Sequence, residues 1–549
     1  MRLAGRLGQV WSAGPSCAKA HITVLTRRDV SDDVHGSVRP PTCQGAHIEA
    51  QTSSPRASSY RWSSPDILLI FVAVAYCIAG LVRVPRGMSP TWDEVVYLSQ
   101  VATGIEPVPF SETRAWGMAL IAAPIAVITP SIVVIRTYLT LLSGLGLYLA
   151  FRPWLGVARD DRTWASYVAP AAAAGFATLW TTLLFGSMAY PNIWLSFALT
   201  AGVGHVCRLL AKPSSRGALF GVCASFTLAS LLRPTDALAA GGGVLLAIVL
   251  IRGPRGILPI MAVLGGLGLG WAVWIVEAYA RFGGPIERLR RVSEIVGSQF
   301  RFSLGRHLDT VDGPYIACIP QRICQGGPWE ATMWWFALPG LALLGIAASV
   351  FAPRASRRHF YVLPALSCAT FLVPYMVLSP ENSQARFLMP AYALLMVPAA
   401  YFIVWAATHT RSPARWAVVI VVSVALISHV VVQQATLERA LDYNLPTMQK
   451  FADRAQILRN TAGVHRPCLL YGPGAIQISY LTGCAAHYTT AVPNTGDSVI
   501  SAALADGDRV VVLLAGANTA LPAPYARWQR VEARSKRVTL HAAVSPQGP

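Results

Sequence analysis

Charge is what this 549-residue chain has least of: 13% of its residues are Asp, Glu, Lys or Arg, against roughly 25% in an ordinary soluble domain. A chain this long cannot cover a water-facing surface with so few charged groups, which excludes a typical soluble enzyme. Acids are scarcer than bases, 26 against 45, leaving a net charge of +19. The basic residues stand singly or in twos between apolar runs. A nucleic-acid-binding face needs a contiguous basic patch, so no such partner is expected. The 11 histidines show no metal-like spacing, and the cysteines lack the four tightly spaced ligands of a zinc site. Internal repeats are missing too, and charge is nearly absent inside the apolar runs. Both absences weigh against a transporter, which tends to show paired repeats and mid-membrane acids or broken spans.

What the chain does have is apolar residues, 54% of the total, too many for disorder over most of its length. They fall into runs near the ~20 residues needed to cross a bilayer. Eleven spans are expected, at roughly 66–84, 131–151, 165–185, 192–210, 217–232, 237–251, 257–280, 332–351, 360–378, 387–407 and 415–432. A further apolar piece, Gly117–Ile128, is short and contains Pro124, which suits a re-entrant or interfacial helix. Residues 1–62 are polar. Gly5, Gly8, Gly14 and Pro15 interrupt any signal-peptide core, and Arg27-Arg28 leads into Asp and Ser rather than an apolar run. They read as a disordered cytoplasmic tail, with an over-extended start of translation as an alternative.

Sidedness follows from the loops. Loops 152–164, 208–216, 252–256, 352–359 and 408–414 carry 12 Lys/Arg in all, and the alternating loops 186–191, 233–236 and 379–386 carry 2. The positive-inside rule assigns the first set to the cytoplasm. With 117–128 not spanning, segments 85–130, 281–331 and 433–549 face outward. Two cysteine pairs fall in these outward segments, Cys318 with Cys324 and Cys468 with Cys484. An oxidising compartment there permits a disulfide in each. The expected domains are the tail 1–62, a transmembrane domain 63–432 with outer loops 85–130 and 281–331, and an extracytoplasmic α/β domain 433–549. Strands are expected at Pro467–Tyr471 and Arg509–Ala515, and an amphipathic helix at Leu445–Asn460.

Chemistry concentrates in the first outer loop, at Thr91-Trp92-Asp93-Glu94-Val95-Val96-Tyr97. Thr91-x-x-Glu94 is also a capping box, and acids in a helix's first turn suit the macrodipole, so a purely structural reading stands beside a functional one. Single arginines lie at the same outer face: Arg114, Arg233 in Arg233-Pro234-Thr235-Asp236, and Arg386 in Arg386-Phe387-Leu388-Met389-Pro390. Together these features resemble the GT-C superfamily of polyprenyl-phosphate-sugar-dependent glycosyltransferases, such as the protein O-mannosyltransferases and the lipid A aminoarabinose transferases. That group's first outer loop carries an acidic pair much like Asp93-Glu94-x-x-Tyr97. A late span there often opens with an Arg-aromatic-Leu-Leu-Pro run similar to Arg386–Pro390. The likeness covers roughly residues 66–432.

The resemblance implies a polytopic GT-C fold and an inverting glycosyltransferase. It would move a hexose or pentose from a polyprenyl-phosphate carrier to an extracytoplasmic glycan, lipid or protein, in the plasma membrane. Asp93 would be the general base. Arg386, Arg233 and Arg114 would bind the donor phosphate, and Glu94 would assist, orient Asp93 or hold a divalent metal. Tyr97 and Trp92 would line the pocket. Headgroup anchoring is the alternative for Arg386, and span capping for Arg233. The second outer loop, 185–192, lacks the acid that several family members carry, which leaves metal use and acceptor handling open. In 281–331, Ile286, Leu289, Val292, Ile295 and Val296 alternate with Glu287, Arg288, Arg290, Arg291 and Glu294. This is an amphipathic helix that would anchor at the interface, grip a lipid phosphate or cover the cavity. Gly266-x-x-x-Gly270 and Gly241–Gly243 are expected at close helix contacts. The competing functions are a transporter or flippase for lipid-linked material and a non-catalytic assembly partner.

Overall fold

A computed structural model describes residues 63–546 apart from 159–163, 297–298, 301–303, 312–316, 319–327, 352–358, 380–382, 411–413, 490–492 and 536. The tail expected over 1–62 lies outside the described residues. The backbone of Cys318 is described, in a two-residue strand with Ala317 that pairs with Ser383–Gln384. Cys324 is not among the described residues, so the disulfide expected between Cys318 and Cys324 lies outside them too. The helices are α1 (Ser64–Arg83), α2 (Trp92–Leu98), α3 (Gly117–Ala126), α4 (Ile132–Ala158), α5 (Val168–Ala177), α6 (Trp180–Gly186), α7 (Pro191–Ala211), α8 (Arg216–Leu232) and α9 (Pro234–Arg252). They continue with α10 (Ile257–Phe282), α11 (Pro285–Val296), α12 (Leu304–Val311), α13 (Met333–Phe351), α14 (His359–Val377), α15 (Met389–His409), α16 (Ala414–Asn460), α17 (Ala475–Thr482) and α18 (Ser498–Ala505).

Among the described residues eight helices (α1, α4, α7, α9, α10, α13, α15 and α16) are long and apolar enough to cross a bilayer, and α5–α6, bent by 77°, passes as a ninth, broken span. The shorter α8 and α14 occupy the two remaining expected positions. At ten residues with Pro124 inside, α3 is too short to cross. Burial is one-sided where lipid is expected: α1 buries Leu69, Ala73, Tyr76 and Gly80 and turns Phe71, Val74, Ile78 and Val82 outward. Such apolar rows are unfavourable in water and ordinary in hydrocarbon, where helices satisfy their own backbone. By contrast α7 is enclosed on nearly every side and forms the centre of the bundle.

Small residues set the close crossings. A Cβ on Gly270 would lie 2.4 Å from Ser230 Cβ, and one on Gly266 2.7 Å from the Cys223 carbonyl oxygen, so α10 lies directly on α8. A Cβ on Gly243 would meet the Leu366 carbonyl oxygen at 2.5 Å, where α9 meets α14. The break in α5–α6 is buried, so its freed backbone needs partners. The Trp180 N–H donates to Gln433 Oε1 on α16 (2.9 Å), and its indole donates to the Val311 carbonyl (2.9 Å).

The expected separate helix at Leu445–Asn460 is instead the end of α16, 47 continuous residues with Pro446 inside. At ~1.5 Å per residue this is a rod of about 70 Å, more than twice a ~30 Å hydrocarbon core. It leads to a five-stranded sheet of β1 (Cys468–Tyr471), β2 (Ala485–His487), β3 (Arg509–Leu513), β4 (Gln529–Arg534) and β5 (Thr539–Val544). The order is β2-β1-β3-β5-β4, parallel across the first three and antiparallel across the rest. Alternation decides the two faces. Leu470, Val511, Ala542 and Val544 pack with Ala455 and Leu458 of α16, while Leu469, Val510, Val512 and Ala543 pack with Tyr525 and Trp528. A Cys468–Cys484 disulfide staples β1 to the residue before β2. The sheet docks on the first loop through α17, whose Tyr480 hydroxyl donates to the Pro130 carbonyl (3.0 Å).

Candidate active site

Thr91 opens α2 with a capping box. The Glu94 N–H donates to Thr91 Oγ1 (3.4 Å), and Glu94 Oε2 accepts the Thr91 N–H and hydroxyl, each at 3.0 Å. The rest of the Glu94 carboxylate is also engaged. Arg136, in the first turns of α4, donates Nε to Oε1 (3.0 Å) and Nη2 to Oε2 (2.7 Å), and the Ala189 N–H approaches Oε1 at 3.4 Å. Arg136 also donates to the carbonyls of Met88 (2.6 Å) and Arg86 (3.1 Å). Both side chains are fully buried. This bidentate pair holds the α1–α2 connector against α4 and the 185–190 turn.

Adjacent helical side chains diverge by about 100°, and Asp93 accordingly faces elsewhere. One carboxylate oxygen is ion-paired with Arg114 and the other with Arg386. Burial by itself would raise the Asp93 pKa, but the charges of Arg114, Arg386 and Arg233 outweigh it and hold the carboxyl below its ordinary value. Tyr190, at the start of α7, lies under the Arg386 guanidinium at 4.2 Å, with Phe185 at 5.9 Å. Such cation–ring contacts fix a guanidinium without neutralising it. Arg114 lies over the Tyr97 ring at 5.5 Å.

Arg233, between α8 and α9, is ion-paired with Asp236 and donates to the Tyr375 hydroxyl (3.0 Å), which in turn donates to Asp236 (2.7 Å). Arg233 and Arg386 flank the Phe387 ring at 5.5 Å each. Asp93, Arg114, Arg386 and Tyr97 therefore meet, with Arg233 alongside. Glu94 points into the α4 contact, and Trp92 packs edge-on against Tyr488 of the sheet domain, 4.5 Å between centroids. Among the described residues no group of three or more His, Cys, Asp or Glu side chains is placed to hold a metal.

Three features of this end of the bundle were not anticipated from sequence: Arg136, Glu277 and the burial of Arg288. The signal was present for the first two. Arg136 is the one charged residue in the span at 131–151, and Glu277 the one acid in 257–280. A lone charge in an apolar run is by default a residue with a job.

The sequence matches no family model and no curated protein; solved structures with the same fold do exist. ArnT from Cupriavidus metallidurans bound to undecaprenyl phosphate superposes with a TM-score of 0.55 at 13% identity, over 88% of this chain and 99% of that one. The oligosaccharyltransferase of Archaeoglobus fulgidus in the apo form gives 0.53 at 12% identity, over 82% of this chain and 69% of that one. Its form tethered to an acceptor peptide with the NVT sequon gives 0.52 at 11%. The chain has the fold of these structures, the polytopic helical fold with a small C-terminal sheet expected as GT-C type.

Proposed function

We propose that this chain, folded as GT-C glycosyltransferases are, is a membrane transferase that moves a sugar from a polyprenyl-phosphate carrier to an extracytoplasmic acceptor. The observation that carries the reading is the Asp93 carboxylate held between Arg114 and Arg386, at the end of the bundle onto which the sheet domain docks. The undecaprenyl phosphate bound to ArnT, whose length the likeness covers almost entirely, supports a lipid phosphate as the donor's leaving group.

The chemistry is a single displacement. The acceptor hydroxyl oxygen attacks the anomeric carbon, its proton passes to Asp93, and the sugar–phosphate C–O bond breaks with inversion. The departing phosphate gains negative charge, which fixed guanidinium donors stabilise most as it develops. Arg114 and Arg386 supply them, with Arg233 adding field. Before donor binds, the same guanidiniums are satisfied by Asp93. A phosphate that draws them off leaves the carboxylate with less opposing charge and a higher pKa, hence a stronger base. Glu94, its oxygens already engaged, is assigned to orientation: it fixes the α2 start and the direction of Asp93.

Transfer measured with polyprenyl-phosphate sugars as donors tests the assignment. Asp93→Asn keeps the shape of the side chain and removes the base, and should lower turnover by about 100-fold or more. Unchanged turnover in a folded variant would sink it.

A further inference from the structure

We propose that Arg288 is a positioning residue for Arg114, so that docking of α11 completes the donor-phosphate site. The proposal rests on the reading of Arg114 as a phosphate-binding residue. Arg288 has no exposed side-chain surface, although it sits on a helix whose sequence reads as an interfacial anchor. Its Nε donates to the Glu112 carbonyl (3.1 Å) and its Nη2 to the Arg114 carbonyl (2.8 Å). Nη1 donates to the Trp274 carbonyl (3.1 Å) and is ion-paired with Glu277 (2.9 Å). The Trp274 and Phe282 rings lie 4.5 and 4.6 Å from the guanidinium carbon.

Two points separate this from ordinary packing. Ile286, Leu289 and Ile295 of the same helix remain exposed, as the lipid-facing row of an interfacial helix would be, while the arginine is buried, where its charge is costly unless it is paired and hydrogen-bonded. Specific partners must therefore set how α11 docks. Those partners include the carbonyls on either side of Thr113, so the guanidinium splints the turn that carries Arg114. Glu277 closes the clamp from the other side by accepting the Trp116 indole N–H (2.8 Å). The segment 112–116 is thus held by two charged side chains, Arg288 at the backbone and Glu277 at the Trp116 indole, while the Arg114 side chain reaches Asp93. Lysine cannot replace the clamp, because its three donors sit on one nitrogen and do not span three carbonyls.

The test uses the full chain in lipid nanodiscs, with undecaprenyl phosphate as the binding probe. Arg288→Lys should weaken binding roughly tenfold, the scale of losing a residue that orients a binding group. Arg114→Gln should weaken it as well, and the double variant no further, since both changes disable the same group. Arg290→Ala, whose guanidinium pairs among the described residues with Glu287 and Glu294 of its own helix, should bind as wild type. Wild-type affinity in Arg288→Lys, or full additivity with Arg114→Gln, overturns the proposal.

Amide exchange in the wild type covers the case of a variant that does not fold. Coupling is reciprocal, so adding undecaprenyl phosphate should slow exchange in 285–296 together with 110–117. Slowing in 110–117 alone also overturns the proposal. If the wild type does not bind the lipid at all, the phosphate reading of Arg114 falls and this proposal with it. Faster lipid-free exchange of 110–117 in Arg288→Lys would then show that the splint itself is real.

Discussion

Glu94 accepts from Thr91, from Ala189 and from Nε and Nη2 of Arg136, so removing one partner leaves a buried charge with nothing to balance it. Glu94→Leu should destabilise the protein by about 3–5 kcal/mol, the usual result of breaking a buried pair. Adding Arg136→Met should restore part of that. Recovery stays incomplete because the carbonyls of Arg86 and Met88 lose their donor. Thermal unfolding of the two variants decides it, and a double variant less stable than the single one contradicts the pairing. Asp93 behaves differently. Its folded pKa is depressed, so the stabilisation from its ion pairs is present above the ordinary carboxylate range and is lost as pH falls through the lowered value. The acid limb of kcat/KM, which reports the protein before donor binds, should lie correspondingly low. In Arg114→Gln, burial loses its largest opponent and that limb should move to higher pH. A pH–rate profile with the limb unmoved would detach it from Asp93.

The crossing of α8 and α10 offers a matched pair of glycines. Gly270→Val puts side-chain atoms where Ser230 already is, and should cost about 1–3 kcal/mol, as overpacking does. Two residues earlier, Gly268 has nothing within 4 Å of a built Cβ, and Gly268→Val should leave unfolding by heat or denaturant nearly unchanged. Equal effects would remove the close crossing as the cause. This contact was legible in sequence, since Gly266-x-x-x-Gly270 states it in five residues. So were the positions of the long apolar helices, because a bilayer demands apolar runs of one length, and so was the grouping of Asp93 with Arg114 and Arg386. Elements whose form depends on distant partners were not legible. The α5–α6 break is stabilised by Gln433, 253 positions from Trp180. Local periodicity put Arg288 on a basic face, and its burial is explained by distant partners, the Glu112, Arg114 and Trp274 carbonyls and Glu277. The continuity of α16 was missed because apolar character ends near 432 while helical hydrogen bonding does not.

For the molecule as a whole, the proposed transfer requires Asp93 to lie on the extracytoplasmic side of the membrane. Asp93, Arg114, Arg233 and Arg386 lie at the end of the bundle where the sheet domain docks. The opposite end carries the turns after α7 and α9, with Arg208, Lys212, Arg216 and Arg252. Those turns belong to the loop set rich in Lys/Arg, 12 against 2, for which the positive-inside rule predicts the cytoplasm. The Cys468–Cys484 bond agrees, since disulfides persist in oxidising compartments, and closing a loop of this size should contribute about 3 kcal/mol to the domain. A membrane-impermeant maleimide applied to intact cells separates the two orientations. Ser501→Cys is exposed on α18 of the sheet domain, and Ser214→Cys is exposed in the α7–α8 turn. Labelling above the parent background is expected at 501 and, until the cells are opened, not at 214. The reverse pattern would put Asp93 on the cytoplasmic side, and an extracytoplasmic acceptor would then be out of its reach.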